Sequence, residues 1–161
     1  MKSLASCIEA YCGAVAAGDL PRAYRGILAS LSAFKSAWQT AHPEDAVGSV
    51  YAGYMDMSFV AVAPDALAAR RLKVSLVFLH AEARFSLWLA AGNRAIQAKT
   101  ASELRKKPLG AYAFCPLQPG VDAIIASEIP PPYAFDDPEA LSGPLLLAAE
   151  AFLADMEALL A

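Results

Sequence analysis

Apolar positions recur at helical spacing toward both ends of the chain and at strand spacing in its middle. Leu4, Ile8, Tyr11, Cys12 and Val15 define a first helix, which Gly18 ends. Asp19 caps a second helix with Pro21 in its first turn, and Tyr24, Ile27, Leu28, Leu31, Phe34 and Trp38 form its apolar stripe. His42-Pro43 stops it, because a residue before proline disfavours the helical region. The two helices are expected to form an antiparallel hairpin.

From Val50 to Val62 the alternation has period two, so a strand is predicted. Tyr51, Gly53, Met55, Met57, Phe59 and Ala61 form its apolar face, which is expected to meet the core. Tyr54, Asp56 and Ser58 give the other face a polar centre. Pro64 to Arg71 links onward, with room for one helical turn near Asp65. Lys73–His80 and Arg84–Ala91 then read as a hairpin around Ala81, Glu82 and Ala83. Pairing His80 with Arg84 sets Leu79 against Phe85, Val77 against Leu87 and Leu76 against Trp88. His80, Arg84 and Trp88 then share one face, and both faces carry enough apolar residues to need cover.

Gly92-Asn93 ends the third strand, and residues 94 to 107 read as a basic helix. The proline-containing stretch from Pro108 to Gly120 is irregular, and Val121–Ile129 alternates as a fourth strand. Asp136 or Asp137 caps a C-terminal helix, with Pro138 at its start. Gly143-Pro144 is expected to kink or break it before the stripe of Leu145, Ala149, Phe152, Met156, Leu159 and Leu160. The prediction is an α+β fold, a mainly antiparallel sheet of about four strands flanked by helices in the order α-α-β-β-β-α-β-α. Its 161 residues fit a single domain, 1–161.

Two stretches, YAGYMDM at 51–57 and FLHAEARFSLWLAAGN at 78–93, resemble a family of small bacterial domains of unknown function. The shared patterns are Y-x-G-Y-M-D-M and F-x-H-x-x-x-R-F-x-x-W-L-x-x-x-N. The resemblance runs from the first helix, through GDLPRAY at 18–24, to Phe135-Asp136-Asp137. It implies a fold grouping and no particular activity. Similar domains often carry an acidic residue where this chain has Ser86, which argues against a site built on carboxylates.

Charge changes the picture in one respect. Residues 70–107 hold nine basic side chains against two acidic ones, a net of +7, and residues 108–161 hold eight acidic side chains and no basic one. The overall balance is only −3, so the two segments are expected to neutralise each other rather than bind nucleic acid. The acids at 136, 137 and 139 are expected against Arg94–Lys107 or against Arg70 and Arg71. The charged fraction, 18%, lies below the roughly 25% usual for globular domains, which leaves apolar helix surface for a homodimer.

No apolar run reaches the roughly 18 to 20 residues that a bilayer needs, so no membrane partner is expected. Glu9 interrupts the small apolar run near the start, which reads as mature helix. Cys7, Cys12 and Cys115 match no disulfide or zinc spacing and suit a reducing cytoplasm.

The candidate ligand-binding residues are Tyr51, Tyr54, Asp56, His80, Arg84, Trp88 and Asn93. Together they suit a small polar ligand with one apolar surface, or a protein partner. No cofactor and no metal site are expected, and neither a phosphate loop nor a nucleophile elbow occurs. The reading is a non-enzymatic cytosolic binding module. A competing reading rests on strand order, which resembles restriction-endonuclease-like nucleases. It makes the chain a hydrolase or degenerate nuclease-like domain with a metal-assisted site at Asp56 and His80, although the third strand offers Arg84, Ser86 and Trp88 where a Glu-x-Lys would stand.

Overall fold

A computed structural model describes residues 1–161. The elements are α1 (Leu4–Ala17), α2 (Asp19–Ala41), β1 (Ala46–Val47), β2 (Met57–Ala63), α3 (Asp65–Ala68), β3 (Leu72–Leu79), β4 (Arg84–Ala91), α4 (Arg94–Leu104), β5 (Ala123–Ile129) and α5 (Pro138–Leu160). The fold is α+β. The five strands follow one another in chain order across one sheet, each antiparallel to its neighbour.

α2 and α5 cover one face of this sheet. Leu31, Phe34 and Trp38 of α2 and Leu145, Phe152 and Met156 of α5 are buried against Val60, Val62, Val74, Leu76, Phe85, Leu87 and Leu89. The opposite face carries a smaller cluster of Val77, Trp88 and Ala123, bordered by Met57, Phe59 and Cys115. α5 runs in the same direction as α2. Asp136 and Pro138, at its start, lie beside Asp19 and Arg22, and Glu150 meets His42 at the far end of α2, 2.7 Å away.

Several sequence expectations change. The strand begins at Met57, not Val50. Gly53 and Met55 adopt left-handed conformations, with φ of 75° and 66°, so the chain reverses there. Tyr51 then pairs back onto Phe59 through two backbone hydrogen bonds, of 2.8 and 3.0 Å. The strand's faces are also exchanged. Ser58, Val60 and Val62 are buried under the helices, and Met57, Phe59 and Ala61 lie half-buried on the other side. Alternation identifies two faces but not which one the helices will choose.

The β3–β4 hairpin is offset by one residue from the predicted register. Leu79 pairs with Arg84, Phe78 with Phe85, and Ser75 with Trp88. The connection is therefore the four residues His80–Ala83, with Ala83 left-handed at φ 52°. A one-residue slip reverses which side chains share a face. Phe85, Leu87 and Leu89 consequently join Val74, Leu76 and Phe78 on the core side.

α5 continues through Gly143-Pro144 without a break. Proline there removes only the bond to the Ala140 carbonyl, and both residues are exposed, so that carbonyl faces solvent rather than the core. The buried row from Leu141 through Leu145 to Leu160 holds the helix on the core across this position.

The segregated charges meet, but in a different pattern. Lys73 pairs with Asp122 at 3.4 Å and Arg84 with Glu128 at 2.9 Å. Asp137 instead caps α5 by accepting from the Ala140 N–H, and Asp136 faces α2. The basic groups reach α5 through its terminal carbonyls. Lys107 donates to Leu159 and Ala161, and Arg70 donates to Leu160. Cations suit the negative end of a helix dipole. Lys107→Met is expected to cost about 1 kcal/mol, measurable as a lower urea midpoint.

Candidate functional site

The open face of the sheet holds a pocket of about 410 Å³. Val77 and Trp88 form its floor, and Tyr51 and Phe59 form one wall. The Tyr51 and Phe59 rings lie 4.9 Å apart at 34°, because backbone pairing sets the two residues side by side. Asp56 and Met57 continue this wall.

The far end is built by the start of α4. The Asn93 side chain caps that helix by accepting from the Ile96 N–H at 2.9 Å. Gln97 is buried, donates to the carbonyls of Ala123 and Val121, and accepts from Arg94 at 2.9 Å. Arg94 also donates to the carbonyls of Gln118 and Val121, which fixes the loop closing the pocket. At the mouth, the Lys73 ammonium stands 3.4 Å from Asp122 and 5.9 Å above the Phe59 ring.

Three polar groups of the pocket lining form no hydrogen bond within the chain: the Tyr51 hydroxyl, the Trp88 indole N–H and the Ser75 hydroxyl, of which Ser75 belongs to the most enclosed residue. Ser75 is 3% exposed, and its hydroxyl forms no hydrogen bond within the chain. Every fully enclosed polar side-chain atom of the protein has a partner. The Ser75 hydroxyl is therefore open to the pocket. Sequence reading passed over this residue because a serine in an apolar strand carries no signature.

Of the seven sequence candidates, Tyr51, Asp56, Trp88 and Asn93 line the pocket. Tyr54 is 89% exposed at the tip of the turn. Arg84 is bound to Glu128 at the outer end of β4. The pairing of Asp56 with Arg84, one way to explain two charged residues on neighbouring strands, does not form. His80 lies on the other side of the sheet, stacked on Tyr24 at 5.2 Å and edge-on to Phe78. The one-residue register change is what separates His80 from Trp88.

His80 has a supporting role instead. Its Nε2 is 2.8 Å from the Ser58 hydroxyl, which itself donates to the Ala52 carbonyl. The Tyr24 hydroxyl donates to the carbonyls of Ala52 and Gly53. Three side chains thus pin the turn that carries Tyr51 and Asp56 to the pocket. The GDLPRAY stretch contained the clue, since Tyr24 is its last residue.

Asp56, His80 and Ser58 have the residue types of a hydrolytic triad. Ser58 is fully buried, however, and its only proton goes to a carbonyl, so Nε2 of His80 must be the donor. That polarity is opposite to what a nucleophilic serine requires. Nor do any three His, Cys, Asp or Glu side chains cluster closely enough to hold a metal ion. Burial pushes the Cys115 thiol up, away from the reactive thiolate.

The N–H groups of Met57 and Tyr54 hold the Asp56 carboxyl below its ordinary range. Burial pushes the His80 imidazole down, and Asp56 pulls it weakly upward. The folded chain therefore binds the His80 proton less readily than the unfolded chain. The stability this gives is present above about pH 6.5 and is lost as pH falls through the folded value. Asp56 acts in the same direction at more acid pH. Urea midpoints are expected to fall as pH drops below about 6.5, and His80→Gln is expected to flatten the near-neutral part of that fall.

Comparison with known proteins identifies the chain. Residues 4–160 match the model of a family described as a domain of unknown function (DUF7000), and the chain belongs to that family. No curated protein and no solved structure matches it. No helix is long and apolar enough to cross a membrane.

Proposed function

We propose that the protein is a non-enzymatic, cytosolic module that binds a small ligand in the pocket over Trp88. The ligand has a flat apolar face, which rests on Trp88, Phe59 and Tyr51. It also has a polar edge, which hydrogen-bonds Ser75 and reaches the Lys73–Asp122 pair. The observation that carries this reading is Ser75, a residue almost wholly enclosed in the sheet whose unpartnered hydroxyl opens only onto a pocket walled by three aromatic rings. Buried polar groups are normally satisfied, and ligand sites are where proteins leave them open.

The pocket's size falls within the roughly 300–1,000 Å³ of small-molecule sites. Pairing or capping of four basic side chains of the 70–107 stretch fits a reading without nucleic acid: Lys73, Arg84 and Arg70 have carboxylate partners, and Lys107 caps α5. The three cysteines are unpaired, which supports a reducing location. The hydrolase reading keeps only two donors, Asp56 and His80, and His80 turns away from the pocket.

Ser75→Ala tests the proposal because it separates binding from folding. Removing an unserved hydroxyl is expected to leave stability unchanged or raise it by up to about 1 kcal/mol. The same substitution is expected to weaken ligands found by thermal-shift screening by about tenfold, the loss of one hydrogen bond. Ser75→Ala that lowers stability and leaves every ligand's affinity intact would refute the assignment.

A further inference from the structure

α1 contributes nothing to the core of its own chain. It is a well-formed helix, with Ser3 capping its start and Gly18 left-handed at its end, yet none of its residues is buried. Leu4, Ile8, Tyr11 and Val15 are 76%, 52%, 50% and 37% exposed. Their spacing of four, three and four places them along one side, the pattern of a helix seam that packs on another helix. Glu9, the one charged residue inside the helix, points away from that side. A helix of 14 residues is marginal alone in water, so this one needs a partner surface.

Its own chain does not supply the surface. Gly18 is at once the last cap of α1 and the first cap of α2, a connection of one residue. Antiparallel helix hairpins need about two to five connecting residues, so α1 cannot fold back along α2. A groove nevertheless waits on the outer side of the α2–α5 pair, with a volume of about 650 Å³. Ala33, Ser36, Ala37 and Thr40 of α2 and Ser142 and Leu146 of α5 line it. The groove's sole charge is Glu139 at one end, and Lys2 stands just ahead of α1.

We propose that the chain forms a two-fold homodimer by exchanging α1, each copy's helix lying in the α2–α5 groove of the other with Lys2 toward Glu139. Area selects exchange over a simple pairing of two α1 helices. A helix of 14 residues is about 21 Å long and 10 Å wide, so burying half its surface removes about 330 Å². Two α1 helices against each other would bury only about 650 Å², less than ordinary casual contacts reach. Reciprocal exchange covers two helices and two grooves, about 1,300 Å², within the range of stable interfaces. The arrangement is isologous and closes, as a two-fold requires.

Light scattering on the full chain is expected to give the mass of two copies. The double variant Ile8→Asp/Tyr11→Asp is expected to weaken dimerisation by at least about 100-fold. The near-ultraviolet signal of the buried Trp38 should not change, because α1 touches no core residue. Ser36→Cys adds a thiol to the groove within reach of Cys7 or Cys12 of the other copy. Mild oxidation is expected to give a covalent dimer, and none in the Ile8→Asp/Tyr11→Asp background. A single-copy mass at millimolar concentration would overturn the proposal. So would a disulfide within one chain, or a dimer that cross-links without the Ser36→Cys thiol.

Discussion

Phe85→Ala is expected to lower the stability of the protein by about 3–5 kcal/mol, out of the roughly 5–15 kcal/mol of a domain this size. Phe85 is fully buried at the start of β4. Its ring meets Phe78 edge-on at 5.0 Å, Tyr133 at 5.0 Å and Phe135 at 5.9 Å. These four rings bind the β3–β4 hairpin to the segment that leads into α5. The backbone N–H of Phe85 also donates to the Tyr133 hydroxyl, which in turn donates to the Ile129 carbonyl. Truncation leaves a cavity that the surrounding rings cannot fill, and it loosens the start of α5 from the sheet. Urea unfolding checks the loss, and a lower midpoint with an unchanged slope is the expected form.

Gly53→Ala is expected to cost about 2–4 kcal/mol and to remove ligand binding as well. A Cβ at this position would stand 1.8 Å from the Met57 carbonyl oxygen, and the backbone there is left-handed at φ 75°. Neither backbone atom can move without opening the turn. Opening it breaks the bonds from Tyr24 and Ser58 and draws Tyr51 and Asp56 out of the pocket wall. Gly143→Ala provides the contrast. Nothing lies within 4 Å of its added Cβ, and it sits inside α5, so the same substitution is expected to stabilise by about 0.5–1 kcal/mol. Thermal melts of the two variants should move in opposite directions.

The elements were legible in the sequence because each rested on a local signal. Gly18 ends α1 in a left-handed conformation and the Asp137 carboxylate caps α5, as expected, whereas Asp19 is the first residue of α2 rather than its cap. The two long central strands begin and end within a residue or two of the predicted bounds. What was not legible depends on facts that alternation does not carry. The turn at Gly53 required knowing that Met55, a residue with no turn preference, also takes a left-handed conformation. The side of β2 that meets α2 depends on helix packing, not on which side is more apolar. A single residue of register in the β3–β4 hairpin decided the composition of the site. It sent His80 to the Tyr24 side and left Trp88 facing Ser75. Four of the seven candidates still reached one pocket, because Tyr51, Asp56 and Asn93 sit at the ends of elements that converge around Trp88 in the middle of β4.

The central claim is that the Trp88 pocket binds a small ligand while His80 serves only to hold the Gly53 turn. Amide and indole NMR spectra recorded during titration with a set of small aromatic fragments test it most directly. The account predicts saturable shifts at the Trp88 indole N–H and at the amides of Ser75, Tyr51 and Asn93, with the Arg84 amide and the His80 ring unmoved, and with the shifts weakened in Ser75→Ala. Fragments that instead perturb His80 and Tyr24 first, or that bind Ser75→Ala as tightly as the parent chain, would contradict it.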